Sequence, residues 1–598
     1  MKKITYYILA GMLIVSSACK KDFLDRYSQT TISPELFFKS EEDLSLYVNG
    51  LLSLPGTGSY LGDQNSDNSA TTGNMEIKNI MTGTPSSQSI TSGWDWGRLR
   101  DINYFLDNCG KTPVTQDVKD HYAGVARFYR ARFYFDKILR YSDVPWYGRA
   151  LNPSDPELFK GRDPRAMVVD SIMADLSFAA QHVRAKVPTG TPGLWAAKML
   201  YARFALFEGT FRKYHPELNL AATAARFLDS ARAQAQDIMN SGNFAIYNTG
   251  KPDQDYATLF SSQDLLQNKE VILTCPFDLN KGLSGNVNGT VFGDYEQSPS
   301  HDLVQTYLMK DGSRFTDVPG YDKMIFVQEF ANRDPRMAQT LAGPGFVRAG
   351  DTKPYIQRLN KNFSGYHQLK GYINSTDAVV TGSADFPVYR YAEALLTYAE
   401  AKAEMNTLTQ SDLDKSINLL RARAGMPSLN LGVALANPDP VLAAQYPDVT
   451  DAMKGAILEI RRERRVEYAL EGYRFADLMR WHAGKLLENI PEGMFFPGLG
   501  KYDMTGDGIE DIILIDKGQD IPTDDKKEKN SLGVILVYYK AGNFGDNVTV
   551  YLRNGNAGGT LVTETTKRTF KEPQYYYCPI PYTQVALNPK LTQIFGWQ

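Results

Sequence analysis

Cysteine is scarce in this sequence, with four residues among 598. They stand at positions 19, 109, 275 and 578 and form no C-x-x-C pair, which excludes a disulfide framework or a cysteine-ligated zinc site. Histidine is nearly as rare, and its six residues form no H-E-x-x-H motif. Because no G-x-S-x-G, P-loop or G-x-G-x-x-G segment occurs either, no motif supports an enzyme. A carboxylate pair for glycoside hydrolysis would need no such motif and stays open.

An excess of positive charge is also missing. The 65 Lys and Arg residues face 68 Asp and Glu residues, which gives a formal net charge of -3. A nucleic-acid partner would need a basic surplus to neutralise its phosphates, so we expect none. Aromatic residues are plentiful instead, with 35 Tyr, 29 Phe and 6 Trp. Their flat amphipathic rings suit recognition of sugars.

The N-terminus has the pattern of an export signal. Lysines at positions 2 and 3 precede an apolar run over residues 4–18 that is too short to span a bilayer. The run ends in Ser16-Ser17-Ala18-Cys19, which resembles a bacterial lipoprotein signal. The resemblance implies that residues 1–18 are removed and that Cys19 carries a lipid anchor. A plain secretory signal with an incidental cysteine is the alternative. No other apolar run is long enough to span a membrane.

Helical periodicity recurs in pairs along the chain. In the first segment, Tyr122, Val125, Tyr129 and Phe133 repeat at the spacing of an amphipathic helix. Small residues along several segments let paired helices approach closely, which is typical of tetratricopeptide-like repeats, and ordinary helical bundling is the alternative. The four predicted pairs are 119–140 with 164–183, 194–207 with 220–239, 391–405 with 412–423, and 452–470 with 474–487.

The segments between the pairs differ in composition. Residues 55–93 are rich in Gly, Ser, Thr and Asn and are too polar to bury. This composition predicts a surface loop that is either functional or flexible. Residues 243–389 show little periodicity and are expected to form long loops. Three runs rich in β-forming residues predict a small β element over about 498–580. The predicted fold is mainly α, with a loop-rich region and a minor β element.

Several segments together resemble the SusD/RagB family of outer-membrane nutrient-binding lipoproteins of Bacteroidetes. The resemblance divides the chain into a signal peptide (1–18), an N-terminal helical region (19–250), a loop-rich region (251–389) and a C-terminal region (390–598). The segments that carry it are CKKDFLD (19–25), FYRARFYFDKILRYSDVPW (128–146), NRDPRM (332–337), RYAEALLTYAEAKAEMN (390–406), INLLRARAGMP (417–427), IRRERRVEYALEGYRFADLMRW (460–481) and CPIPYTQVALNPKLTQIFGW (578–597).

What the resemblance implies is a function without catalysis. Members of the family lie on the outer face of the outer membrane, hold an oligosaccharide or a peptide, and close a SusC-like TonB-dependent transporter as a hinged lid. We therefore expect a glycan-binding lipoprotein that delivers its ligand to such a transporter. A peptide-binding member of the family, a surface glycoside hydrolase and a purely structural repeat scaffold are the alternatives.

The predicted ligand site lies at the exit of the polar loop. Trp94 and Trp96 offer apolar faces for a sugar ring, and Arg98 and Asn103 offer hydrogen bonds nearby. In starch-binding members of the resembled family, a Trp and an Asn in this neighbourhood belong to an aromatic arc. Core packing of one tryptophan is the alternative. Asp67 and Asn68 of the polar loop are further candidates for hydrogen bonding.

A second candidate patch lies in the loop-rich region, where packing between loops is the favoured alternative. Tyr295 and Tyr321 are its predicted ligand contacts. Its other members are Asn286, Asn288, Phe292, Asp294 and Phe326.

The segment from Asp503 to Asp511 has the spacing of a calcium loop. Asp503, Thr505, Asp507 and Asp511 place oxygen ligands at positions 1, 3, 5 and 9, with Gly508 at position 6. Position 12 is not Glu, so the segment is no regular EF-hand, and a β-turn rich in Asp is the alternative. The sequence therefore predicts a structural calcium site here and no catalytic cofactor.

The charge run over residues 461–465 is predicted to belong to the helical scaffold. Arg462 is expected to pair with Glu459, and Arg464 with Glu467, at a spacing of three residues.

Overall fold

The computed structural model describes residues 37–285, 288, 291–292, 297–373 and 383–598. Cys19 and the predicted signal peptide lie outside the described residues, as do Asn286, Asp294 and Tyr295 of the second patch. The α-helices are α1 (Glu41–Gly50), α2 (Glu76–Thr82), α3 (Gly97–Cys109), α4 (Gln116–Tyr141), α5 (Arg165–His182), α6 (Leu194–Tyr214), α7 (Ala224–Asn240), α8 (Asp255–Ser261), α9 (His301–Thr306), α10 (Phe326–Phe330), α11 (Arg336–Thr340), α12 (Tyr391–Glu404), α13 (Gln410–Asp414), α14 (Ile417–Arg423), α15 (Leu431–Ala436), α16 (Pro440–Gln445), α17 (Lys454–Glu467), α18 (Arg474–Arg480) and α19 (Tyr582–Leu587).

The long helices stack largely in chain order. Helix α3 packs on α4, α4 on α5, α5 on α6 and α6 on α7, and α12 then packs between α7 and α17. Contact mainly between sequential neighbours is the arrangement of a helical repeat array. The predicted helices are confirmed, and the helices of the first three predicted pairs pack on each other. Residues 412–423 divide into α13 and α14, and α18 ends at Arg480 and packs mainly on α6, so the fourth pair is not a packed pair. The alanines of α12 are fully buried and let its neighbours approach closely, as predicted.

Among the described residues, the strands form four small sheets. The largest has the order β6-β7-β8-β9, with an antiparallel first pair and parallel second and third pairs. It confirms the β element predicted near the C-terminus. The antiparallel pairs β1-β3, β2-β4 and β5-β10 join segments far apart in the chain. The strands are β1 (Ser69–Ala70), β2 (Val271–Cys275), β3 (Ser298–Pro299), β4 (Phe386–Arg390), β5 (Phe495–Phe496), β6 (Gly500–Tyr502), β7 (Ile512–Asp516), β8 (Val537–Gly542), β9 (Val550–Tyr551) and β10 (Gly559–Thr560).

Helix α17 is buried on all sides although it carries the charge run. Residues 455–467 are all buried, so each charge needs a partner inside the protein. Glu467 Oε1 lies 2.9 Å from Arg390 Nη1, and its Oε2 lies 2.6 Å from Arg423 Nη2 and 3.2 Å from Arg336 Nη1. A fully desolvated carboxylate thus joins three arginines from other elements.

The pairing confirms the scaffold prediction for the charge run. Arg462 lies 3.5 Å from Glu459, as predicted. Arg464 instead pairs with Asp477 at 2.7 Å, because Glu467 is already surrounded by arginines of other elements. Most partners of α17 are therefore distant in sequence.

The polar loop before α3 is ordered, and the prediction of a surface loop was wrong for residues 63–70. A 3₁₀ helix (Thr57–Asn65), β1 and α2 lie within it. Asp63 is fully buried and accepts hydrogen bonds from Leu470 N at 2.7 Å, Gly472 N at 3.1 Å and Asn68 Nδ2 at 2.9 Å. Asp63 thus supplies the acceptors for the backbone N–H groups of Leu470 and Gly472, which follow α17.

In the part of the chain that the structure describes, no helix combines the length and apolarity needed to cross a membrane.

Candidate functional site

A cleft of about 420 Å³ lies where α3 begins, beside the loop between α4 and α5 and the C-terminal helix α19. Its volume falls within the ~300–1,000 Å³ of typical small-molecule sites. The residues that line it are Trp94, Trp96, Gly97, Leu99, Arg100, Asn103, Pro145, Tyr147, Arg149, Leu151, Leu158, Phe159, Gln584, Leu587, Asn588 and Leu591.

Two tryptophans form one wall of this cleft. Trp94 and Trp96 are half-buried, and their rings meet edge to face with centroids 5.2 Å apart. Trp94 packs edge to face on Tyr141, and Trp96 packs in the same way on Tyr147. Both rings therefore line the cleft while the aromatic core fixes their orientation. Such fixed rings suit stacking against the C–H face of a sugar.

The segment that carries the tryptophans is held by the end of α4. Lys137 Nζ donates to the carbonyl oxygens of Gly93 at 2.5 Å and Asp95 at 2.7 Å, and it lies 5.1 Å from the Trp96 ring centroid. Burial lowers the pKa of Lys137 to about 8. Gly93 has φ +88°, and an added Cβ would lie 2.6 Å from Arg140 Nε. Only glycine allows this close approach of the segment to α4.

Asn103 is buried beneath the cleft and positions its opposite wall. Its Nδ2 donates to the carbonyl oxygens of Tyr147 at 2.8 Å and Arg149 at 3.1 Å. Its Oδ1 accepts from Arg130 Nη1 at 3.0 Å, and Arg130 is in turn paired with Asp175. The side-chain amide is thus committed to the loop between α4 and α5. It shapes the site by holding this loop in place.

The rim of the cleft exposes apolar side chains that sequence reasoning missed. Leu158, Phe159 and Leu587 are 38%, 52% and 70% exposed, and all three line the cleft. Clustered exposed apolar groups of this kind mark binding surfaces. Arg149 and Gln584 add polar groups beside them. The loop after α4 is rich in aromatic residues and proline, and this composition could have indicated a binding surface from the sequence. Nothing in the sequence indicates that this loop lies beside α19.

Arg98 and Tyr321, two other predicted ligand residues, lie outside this cleft. The guanidinium of Arg98 donates to the carbonyl oxygens of Gly50 at 3.1 Å and Leu52 at 3.2 Å. Arg98 therefore ties α3 to the end of α1. Tyr321 packs against Phe315 near α16, in a different part of the molecule.

Asp67 and Asn68 also lie away from the tryptophan cleft. Asp67 accepts from Arg474 Nε and Nη2, each at 2.7 Å, and Asn68 Oδ1 accepts from Arg465 Nε at 2.8 Å. Burial opposes ionisation of Asp67, but the charges of Arg465 and Arg474 lower its pKa to about 2. Asp67 also lines a second, larger cleft of about 760 Å³ whose walls are rich in carboxylates. The contacts described give both residues a scaffold role.

The described part of the second candidate patch is packed into the core. Phe292 and Phe326 are 1% and 2% exposed, and Phe292 stacks on Tyr372 with centroids 4.4 Å apart. Asn288 is buried as well and accepts from Ile373 N at 3.0 Å. The packing alternative is confirmed for these residues. Tyr295 lies outside the described residues.

The predicted calcium loop connects β6 and β7. Asp503 accepts from the backbone of Thr505, Gly506 and Gly508, and Asp511 accepts from Met504 N and Thr505 N at 2.8 and 2.9 Å. In the described part of the chain, these aspartates do not belong to a cluster in which three potential metal-ligand atoms lie within 4.8 Å of one another. The calcium site stays a prediction, with Asp503, Thr505, Asp507 and Asp511 as its residues.

Comparison with known proteins places the chain in a family. A sequence model described as the SusD family matches residues 247–597. SusD-like protein P2 of Formosa agariphila is 23% identical over 518 residues, which cover 81% of this chain and 91% of that protein. SusD-like protein P38 of the same organism is 22% identical, with coverage of 80% and 90%.

Solved structures show the same fold. A SusD-like carbohydrate-binding protein of Bacteroides fragilis superposes with a TM-score of 0.67 at 23% identity, over 93% of this chain and all of that one. A laminarin-binding SusD-like protein superposes with a TM-score of 0.56 at 16% identity, over 94% of this chain and all of that one. Together with the family match over more than half of the sequence, the helical-repeat fold shows that this chain belongs to the SusD family.

Proposed function

We propose that this protein binds an oligosaccharide in the cleft bounded by Trp94, Trp96, Phe159 and Leu587. The observation that carries the proposal is the pair of fixed tryptophan rings facing a cleft that also offers Arg149 and Gln584. Sugar rings present apolar C–H faces and polar edges, so a site for them combines both kinds of group. The carbohydrate-binding and laminarin-binding relatives named above support this ligand class.

We propose further that the protein acts at the cell surface without catalysis. The lipoprotein-like signal supports an anchor on Cys19 in the outer membrane, and family membership supports delivery of the ligand to a SusC-like TonB-dependent transporter. We infer modest affinity. Each ring contributes about 1 kcal/mol and sugar hydroxyls only exchange partners, so binding falls roughly between micromolar and millimolar.

A panel of glycans and peptides tests the ligand class and the absence of catalysis together. The full chain is incubated with each compound, binding is measured by titration calorimetry, and products are analysed by chromatography. We expect retention of at least one oligosaccharide with no released sugar. Release of sugar would favour the glycoside hydrolase. Retention of peptides alone would favour the peptide-binding alternative, and retention of no compound would favour the structural scaffold.

Variants at the rim locate the site with little risk to folding. Phe159→Ala and Leu587→Ala remove side chains that are 52% and 70% exposed. Each is expected to weaken glycan binding about 3–5-fold, which corresponds to roughly 1 kcal/mol. Leu532→Ala, at a position 66% exposed and absent from the cleft lining, is the matched control and should bind as the parent does. Unchanged glycan binding by both rim variants would show that the ligand binds elsewhere on the protein.

A further inference from the structure

A cluster of potential metal ligands lies where two distant segments of the chain meet. His215 follows the end of α6, Glu217 lies two residues later, and His482 follows α18. One ligand atom from each lies within 4.8 Å of the others. His215 is fully buried, and the side chains of Glu217 and His482 are only 14% and 20% exposed. None of the three lines the tryptophan cleft.

The hydrogen bonds of His215 fix its tautomer. Its Nε2 lies 2.7 Å from the carbonyl oxygen of Met479, which can only accept, so Nε2 carries the proton. The Nδ1 lone pair of a neutral ring then lies 2.8 Å from Glu217 Oε1, and this oxygen already accepts from Tyr577 OH at 2.8 Å. Two lone pairs at this distance repel each other, so a positive species is needed between them.

His482 offers the second imidazole with a matching arrangement. Its Nδ1 lies 2.9 Å from Asp448 Oδ2, which leaves the Nε2 lone pair as a ligand atom. Nε2 is 4.0 Å from Glu572 Oε1. The two imidazole rings meet edge to face with centroids 4.9 Å apart. Metal-binding histidines usually donate their other N–H to a carboxylate or a carbonyl oxygen, as both rings do here.

The charge around the cluster also favours a cation. Glu217, Asp448 and Glu572 bring three carboxylates to the two rings, and Lys485 Nζ lies 3.5 Å from Glu572. A proton shared by His215 and Glu217 would satisfy that pair alone.

We propose that His215, Glu217 and His482 bind a divalent transition-metal ion of the zinc class, with the carboxylate of Glu572 beside the cluster. Two imidazole nitrogens and carboxylate oxygens are a ligand set that suits zinc, whereas calcium and magnesium prefer oxygen alone. The ion would join the segment at the end of α6 to the turn after α18. Binding to both segments in the folded state stabilises their arrangement.

Zinc titration of the full chain, purified without a histidine tag and dialysed against a chelator, tests the proposal. Calorimetry is expected to show one zinc ion per chain. His482→Asn removes a ligand at a position with φ +55°, a conformation that asparagine tolerates. It should weaken zinc binding at least tenfold, and Asp448→Asn, which loosens the ring of His482, should weaken it about tenfold.

His182→Asn is the matched control. His182 also lies near a carboxylate, with its Nδ1 3.8 Å from Asp120 Oδ2, but its side chain is 38% exposed and outside the cluster. This variant should bind zinc as the parent does, and the visible d–d absorption of bound Co²⁺ should persist in it and disappear in His482→Asn.

The proposal would be overturned by the absence of one-to-one zinc binding in the parent. It would equally be overturned by unchanged binding in a folded His482→Asn variant, or by an equal loss in the control. Glycan binding by the same samples is independent of these outcomes, because the tryptophan cleft shares no residue with the cluster.

Discussion

At the scale of single residues, the site depends on side chains that fix other groups. Asn103, predicted to contact ligand, uses its amide on the carbonyl oxygens of Tyr147 and Arg149 and on Arg130. Gly93 allows the tryptophan segment to approach α4. The rings that face the cleft therefore owe their placement to residues behind them.

Gly93→Ala tests this positioning. The substitution forces a non-glycine residue to φ +88° and brings its Cβ to 2.6 Å from Arg140 Nε. Both the strained backbone and this contact favour a shift of the tryptophan segment away from α4. We expect glycan affinity to fall about fivefold or more, a change of roughly 1 kcal/mol. Gly242→Ala is the control, because Gly242 has φ +71° with no atom within 4 Å of an added Cβ. Equal effects of both variants on affinity would contradict positioning by Gly93.

Asp67 makes stability depend on pH in the acid range. Its pKa in the folded state, about 2, lies below the ordinary value of 3.8. The carboxylate therefore contributes stability above about pH 4, and this contribution is lost as the pH falls towards 2. The contribution is roughly 2 kcal/mol.

Urea unfolding of the parent and of Asp67→Asn at pH 6 and pH 2 measures this contribution. The difference in free energy of unfolding between the two proteins should shrink by about 2 kcal/mol at the lower pH. Asp524→Asn, at a surface carboxylate that is 83% exposed, should show no such change. A constant difference for Asp67→Asn would contradict the lowered pKa.

At the scale of elements, the helices were predictable and their partners were not. Apolar periodicity located α4 to α7, α12 and α17, because a helix buries one face at regular intervals. The burial of every face of α17 does not follow from its sequence, since Arg390, Arg336 and Arg423 reach it from elsewhere in the chain. The polar composition of residues 55–93 likewise predicted an exposed loop, because composition does not show which distant residues contact Asp63 and bury it.

Glu467→Gln tests the buried charges of α17. The amide keeps the shape of the side chain but removes the one carboxylate that Arg336, Arg390 and Arg423 share in a desolvated place. Their remaining carboxylate partners are Asp334, Glu463, Glu270 and Glu471. We expect a loss of about 3–5 kcal/mol in the free energy of unfolding. Arg226→Ala breaks the surface pair with Asp170, whose side chains are 54% and 55% exposed, and should cost less than about 1 kcal/mol. Similar losses in both would contradict the account of α17.

The loop between β6 and β7 gives a prediction about calcium. Calcium at roughly millimolar concentration should raise the unfolding temperature of the parent. Asp503→Asn should remove the effect, whereas Asp520→Asn, at a fully exposed neighbouring carboxylate, should keep it. An unfolding temperature that does not respond to calcium, or an equal response in Asp503→Asn, would favour the Asp-rich turn without a cation.

At the scale of the whole molecule, the cleft joins segments that no sequence pattern connects. Trp94 and Trp96 were predicted for a ligand site, and the structure places them on one wall. The other walls come from the loop at Tyr147 and from α19, which lies near the opposite end of the described chain. The helical array thus serves as the rigid support of a site built at its surface.

The most direct test of this account is the affinity of the folded full chain for the oligosaccharide that it retains from the glycan panel. Calorimetry should show that the Trp94→Ala and Trp96→Ala double variant loses binding. Trp195→Ala is the control, because this half-buried tryptophan packs on Phe244 outside the cleft, and it should keep the parent affinity. Parent-like glycan affinity in a folded double variant would contradict the assignment of the cleft.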